Sequence, residues 1–311
     1  MAVELQIITG LLGSGKTSVV VHLLGAPAFG DRLGVIIGEF ADEGYDASML
    51  GETEHTVAQI AGTGRREPED TYLPEVRALL QSGLHRRIIL ETSGVVEPWK
   101  LVSALRNDVY VRRHAHFGKA LTVIDAGSWE RHYRLFTDQM KALIGMADVV
   151  VVNKTDKVHP GDLDTIRGEV NTINPAATVQ FAYMGQVSRP VVLSGFREGE
   201  RARIDTISQN DSLPADFESF VYRTPLLCVD RVFFGHRLLN LPGNVARFKG
   251  VLRCWDRSYA VNGLPGQLDW DNIKVTGATR IALIGLNLLS NEAEIREILD
   301  SELKRQLDDD R

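Results

Sequence analysis

Residues 10–17 read GLLGSGKT, and they stand between the apolar runs Leu5–Ile8 and Ser18–Leu24. That spacing predicts a strand, a glycine-rich turn and a helix that follows it without a break. Gly10, Gly13 and Gly15 let the backbone fold back with its N–H groups pointing inward, and the helix adds the positive end of its dipole at the same point. An anion is expected there. The ammonium of Lys16 reaches the outer phosphates of a nucleotide, and the hydroxyl of Thr17 sits on a magnesium ion that bridges them. Gly13, Ser14, Gly15, Lys16, Thr17 and Ser18 are the expected phosphate contacts.

Downstream, short runs rich in Val, Ile and Leu alternate with segments of helical period. Strands are predicted at Leu5–Thr9, Leu33–Ile37, Arg87–Glu91, Ala120–Asp125, Asp148–Asn153 and Thr178–Tyr183. Their nearly continuous apolar character suits strands covered on both faces. Helices are predicted at Thr17–Leu24, Thr71–Gln81, Trp99–Arg106, Trp129–Ile144 and Asp162–Thr172. Alternation of this kind gives an α/β fold, a doubly wound and mostly parallel sheet whose ligands lie beyond the carboxyl ends of its strands.

Polar residues gather at those ends. After the second strand, GEFADEGYD clusters Glu39, Asp42, Glu43 and Asp46 beside two glycines. The third strand ends in ETSG, so a carboxylate, Glu91, and a backbone amide, Gly94, face the phosphates, as residues that hold a metal and sense a γ-phosphate do. A glutamate ending a buried strand is costly to bury alone, so a cation or Lys16 is expected beside it. The fifth strand runs into NKTD. There the Asp156 carboxylate would accept two hydrogen bonds from guanine, and the Lys154 stem would pack on the ring, with Asn153 completing the motif. Together with the glycine-rich loop this specifies GTP.

After Phe196 the chain turns polar over REGERARIDTISQNDSLPAD, which reads as a linker. The predicted organisation is a nucleotide domain over 1–195, a linker over 196–215 and a small α+β domain over 216–311. In the last, a strand from Phe217, a helix Asp230–Leu239, strands Val245–Trp255, Tyr259–Gly263 and Arg280–Gly285, and a helix Glu292–Leu307 are expected. Arg253, Trp255, Tyr259 and Trp270 are either a face that docks a client or part of the core.

With 311 residues, a net charge of −6 and a pI near 5.8, the chain has no broad basic surface for nucleic acid. Cys228 and Cys254 are its only cysteines, too few for a disulfide framework or a thiolate zinc site of their own. No basic leader opens the sequence and no apolar run reaches the length of a membrane span, so a cytoplasmic protein is expected.

GLLGSGKT, GEFADEGYD, ETSG followed by VVEP, and NKTD stand in the order and spacing of the CobW-like GTPases, relatives of the urease and hydrogenase nickel-insertion GTPases. The resemblance runs into the C-terminal part through RFKGVLRCWD and TRIALIGLN. It implies a GTPase that forms GDP and phosphate and couples this to delivery of zinc or cobalt into client proteins or cofactor pathways. By resemblance Lys16, Glu39 and Glu91 serve hydrolysis, Thr17, Asp46 and Glu91 surround the magnesium, and a client docks on the C-terminal domain.

Three departures from the pattern stand out. Gly38 replaces the Asn that usually precedes the switch glutamate, which removes one side-chain contact. AGTGRR replaces a stretch resembling NGCICC, so Thr63, Arg65 and Arg66 occupy the three cysteine positions and the usual thiolates are gone. No His-rich tract appears. Arg65 and Arg66 are candidates to stabilise charge on the transferred phosphoryl group, or to pair with Glu67, Glu69 and Asp70. His114 and His116 are candidate substitute ligands, or a solvated loop. The readings are an accessory GTPase for metalloprotein maturation, a metal-independent GTP-switched adaptor, and an ATP-dependent kinase, which the guanine motif opposes.

Overall fold

The computed structural model describes residues 2–25, 33–38, 55–60, 67–94, 98–193, 217–224, 230–254, 257–273 and 278–309. The chain divides into two units, Met1–Leu213 and Pro214–Arg311. The expected linker over 196–215 lies outside the described residues, as do Glu39, Asp42, Glu43, Asp46, Thr63, Arg65 and Arg66.

In the first unit the elements follow in the order β1 (Val3–Thr9), α1 (Lys16–Leu24), β2 (Leu33–Gly38), β3 (Thr56–Ile60), α2 (Pro68–Ser82), β4 (Arg87–Glu91), α3 (Pro98–Asn107) and α4 (Val109–His114). Then come β5 (Ala115–Phe117), β6 (Leu121–Asp125), α5 (Trp129–Leu135), α6 (Thr137–Gly145), β7 (Val149–Asn153), α7 (Pro160–Ile173), β8 (Thr178–Phe181) and α8 (Arg189–Leu193). The strands form an eight-stranded sheet in the order β3-β2-β4-β1-β6-β7-β8, with β5 paired to the first residues of β1. Each of its described pairings is parallel. The expected doubly wound parallel sheet is therefore present. Growth of the sheet reverses around β1, with β4 on one side and β6 on the other, and the carboxyl end of β1 lies at that reversal, where open α/β sheets leave a crevice.

Strands β2 and β7 are buried at every residue, as their apolar runs require. Val19, Val20 and Leu23 of α1 pack with Ile8, Val35, Ile37, Ile89, Val123 and Val151 of the sheet. Because α1 starts immediately after the glycine-rich loop, this packing also fixes the loop over the strand ends.

Some expectations need correction. Trp129–Ile144 is not one helix: it breaks at Phe136, whose backbone leaves the helical region at φ −132° and ψ 40°. The break buries the Phe136 ring, tilted against His132 at 6.1 Å, and the Thr137 hydroxyl caps the Tyr133 carbonyl at 2.5 Å. His114 and His116 do not form a pair of ligands on an extended segment. His114 ends α4, stacked on Tyr110 at 4.1 Å, while His116 lies exposed in β5. Among the described residues no three His, Cys, Asp or Glu side chains gather as a metal site would need, and no helix is long and apolar enough to cross a membrane.

The second unit carries β9 (Phe217–Thr224), α9 (Arg231–Leu239), β10 (Val245–Arg253), β11 (Ser258–Leu264), β12 (Gln267–Ile273), β13 (Thr279–Leu286) and α10 (Glu292–Asp309). Its five strands form an antiparallel sheet in the order β12-β11-β10-β13-β9. Phe234 and Leu238 of α9 and Ile295 and Leu299 of α10 close its core with Phe220, Tyr222, Phe248, Leu252 and Ile281. Tyr259 belongs to that core and meets Trp270 edge-on at 6.0 Å, so these two aromatics are packing residues rather than an exposed docking face. Cys254 is buried. Cys228 and Trp255 lie outside the described residues.

His132 is buried in α5, and loss of water pushes its imidazole down to about 4 from 6.5, with Arg131 and Lys154 adding to the fall and Asp125 opposing it. Between those two values the unfolded chain binds a proton at this position that the folded chain does not. Stability is therefore expected to fall as pH drops from 6.5 towards 4, by at most about 3 kcal/mol from this group, and to be insensitive to it below that range. Urea titrations across the window check this; in His132→Gln that part of the slope should vanish.

Candidate functional site

Five strand ends converge on the crevice. At the first, the loop 10–15 turns from β1 into α1, with Gly10, Gly13 and Gly15 at positive φ. Gly15, at φ 95°, is also short of space: a Cβ there would lie 2.2 Å from Nδ2 of Asn153. The helix after it has no capping side chain and no acidic residue in its first turn, so nothing in its own sequence competes with an anion for its leading N–H groups. Lys16 is buried, and its ammonium donates to the carbonyls of Gly10 at 2.9 Å and Leu11 at 3.1 Å, bracing it across the loop.

Beside it, the Thr17 hydroxyl donates to Oε1 of Glu91 at 2.7 Å. Glu91 is buried at the tip of β4. The turn after it is joined to β1, since the Thr92 amide donates to the Ile8 carbonyl at 3.0 Å and the Thr92 and Thr9 hydroxyls are 3.1 Å apart. Gly94 lies directly on the glycine-rich loop: a Cβ on it would stand 2.5 Å from the Leu12 nitrogen. A hydroxyl and a carboxylate in contact are hard oxygen donors of the kind magnesium takes, so this pair fits such an ion.

At the end of β7 the two halves of the site are tied together. The Asn153 side chain donates to the Ser14 carbonyl at 2.9 Å and accepts from the Gly185 amide at 3.0 Å. It thereby links the glycine-rich loop to the turn after β8, where Tyr183 and Met184 are exposed. That turn rests on α1 so closely that a Cβ on Gly185 would meet the Ser18 carbonyl carbon at 2.4 Å. Lys154 follows in the left-handed region at φ 59°, and Asp156 stands exposed in the short 3-10 turn Thr155–Lys157.

Sequence reasoning passed over Asp125. This buried carboxylate ends β6, accepts from the Gly127 amide and the Ser128 hydroxyl, and holds the Lys154 ammonium at 2.7 Å. Its sequence signal is plain in retrospect: a strand that ends on an acid must partner it. The ion pair sets the direction of the Lys154 stem that the NKTD motif would lay along a base.

Of the expected residues, Gly13, Ser14, Gly15, Lys16, Thr17, Ser18, Glu91, Gly94 and Asn153 are brought around the loop, and Lys154 and Asp156 follow Asn153 in the turn after β7. Asn153→Ala would leave the Gly185 amide and the Ser14 carbonyl without the partner that joins them. Stability is expected to fall by about 2 to 4 kcal/mol, read from the urea midpoint at unchanged slope.

The sequence has relatives. The family model described as CobW/HypB/UreG, nucleotide-binding domain, matches residues 4–181. The zinc chaperone CobW of Sinorhizobium sp is 28% identical over 288 residues, covering 76% of this chain and 79% of the relative. The zinc chaperone YjiA of Escherichia coli K12 is 23% identical over 323 residues, covering 94% of this chain and 96% of the relative. The crystal structure of Zn(II)-bound YjiA GTPase from E. coli aligns at 20% identity over 97% of this chain and 99% of that one, with a TM-score of 0.49. The matched stretch runs from β1 to the end of β8 and takes in over half of the sequence, so the chain belongs to the CobW/HypB/UreG family of nucleotide-binding domains.

Proposed function

We propose that this protein binds GTP with magnesium, hydrolyses it to GDP and phosphate, and acts as an accessory GTPase in metal delivery or in maturation of a metalloprotein or metal-dependent cofactor. The observation that carries the reading is the Asn153 side chain bonded to Ser14, which couples an NKTD motif directly to a glycine-rich phosphate loop. In this reading the amides of Gly13 to Ser18 and the Lys16 ammonium bind the phosphates. Thr17 and Glu91, joined by Asp46, would hold the magnesium, which would supply positive charge against the phosphates. The Gly94 amide, seated on Leu12, senses the γ-phosphate, and Glu39 opens the switch that responds. Asp156 accepts from guanine while Asp125 steers Lys154 onto the ring.

Zinc or cobalt is the proposed cargo, a reading supported by the relatives named zinc chaperones. The protein is proposed to work in the cytoplasm and to dock a client through the Pro214–Arg311 unit, where Val232 and Phe233 stand exposed on α9. A second reading, a metal-independent GTP-switched adaptor, is favoured by one observation: Thr63, Arg65 and Arg66 stand where the family's thiolates would be. Equilibrium binding of Zn2+ and Co2+ with GTP and with GDP separates the two. Nucleotide-dependent binding supports delivery, and no binding in either state supports the adaptor.

GTP is expected to bind at least about tenfold tighter than ATP, since one good hydrogen-bonded contact contributes roughly 1.5 to 3 kcal/mol. Asp156→Asn should weaken GTP selectively, because an amide presents a donor where the base also donates; equal affinities for GTP and ATP in the wild type would end the GTP reading. Lys16→Ala should abolish nucleotide binding. Glu91→Gln should bind GTP yet turn it over at least about tenfold more slowly, as single-turnover assays would read.

A further inference from the structure

Gly38 ends β2, and its backbone is not in the left-handed region that would call for glycine. Space calls for it instead. A Cβ at this position would lie 1.6 Å from the hydroxyl oxygen of Tyr72 and 2.6 Å from its Cζ. The volume that a side chain at position 38 would fill is already taken by a phenol from α2. Tyr72 is fully buried, with 0% of its surface exposed.

That hydroxyl is bonded on both sides to the turn that follows β4. It donates to the Glu91 carbonyl at 3.3 Å and accepts from the Ser93 amide at 3.2 Å. Between them, the Thr92 amide is held by the Ile8 carbonyl at 3.0 Å. Three successive residues of the turn are therefore pinned, the middle one from β1 and the flanking two from α2. The turn carries the Glu91 carboxylate to Thr17 and Gly94 to Leu12.

We propose that Tyr72 is a positioning residue for the Glu91–Gly94 turn, its hydroxyl taking the place of a side chain at position 38 and holding the turn against the phosphate loop. Both of these hydrogen bonds run to the backbone of the turn, so Tyr72 acts through the groups it sets in place. The space beside Gly38 is thus filled from another element. In its functional part this rests on the GTPase reading; in its structural part it does not.

Tyr72→Phe keeps the ring and removes both hydrogen bonds. In the nucleotide-free protein the Ser93 amide is expected to exchange with solvent at least about tenfold faster than in the wild type, while the Ile88, Ile89 and Leu90 amides of β4 keep their rates. With GTP, kcat is expected to fall about tenfold or more while the GTP dissociation constant stays within about threefold. Gly38→Ala, whose methyl needs the hydroxyl's volume, should give the same split, and Gly38→Asn should partly restore turnover when added to Tyr72→Leu. Unchanged Ser93 exchange in Tyr72→Phe would overturn the proposal, as would exchange that rises along the whole of β4, or a kcat and affinity that fall together. A wild-type chain without GTP turnover would instead end the GTPase reading, with Ser93 exchange still deciding whether Tyr72 holds the turn.

Discussion

The side chain of Asn153 is the joint on which the site depends. Its amide donates to the Ser14 carbonyl and its oxygen accepts from the Gly185 amide, so the ends of β1, β7 and β8 are held by one buried group. The joint works because nothing else occupies the space: a Cβ on Gly15 would stand 2.2 Å from Nδ2. A glycine at that point of the loop serves two ends, since it adopts φ 95° without strain and admits the Asn153 amide. The glycine-rich motif and the NKTD motif are therefore one structural unit, although they lie far apart in sequence.

What could be read from the sequence follows the same division between local and distant causes. The strands buried on both faces announced themselves, because runs such as Val149–Asn153 leave no polar face. Two of the edge strands, β3 and β12, did not. β3 buries only Ile60 fully, and β12 alternates half-covered residues with exposed Asp269 and Asp271, so neither shows the apolar run that marks a central strand. The phosphate loop was legible because its geometry is set by consecutive residues. The distant partners of Asp125 and Tyr72 were not, because Lys154 and the turn at Glu91 follow other strands.

Departures from a family pattern raise the same issue. Read along the chain, Gly38 is a lost contact. In the folded protein it is one half of an exchange, in which α2 delivers a hydroxyl into the volume the smaller residue leaves. A substitution in a buried site changes the space as well as the chemistry at its position, and close packing lets a neighbour from any element take it up. Position 38 and position 72 are best regarded as one pair.

Electrostatics gives the site its last constraint. Lys16, Glu91 and Asp125 are all buried, and a buried charge is tolerated only when hydrogen bonds or an opposite charge replace the water it lost. The three are satisfied in different ways. Asp125 is enclosed by two local donors and an ammonium, an arrangement suited to a fixed support. Lys16 donates to two carbonyls of the loop, and Glu91 accepts from the Thr17 hydroxyl. A ligand charge beside Asp125 would have to compete with an ammonium already 2.7 Å away, so Asp125 serves the crevice by holding Lys154 in place.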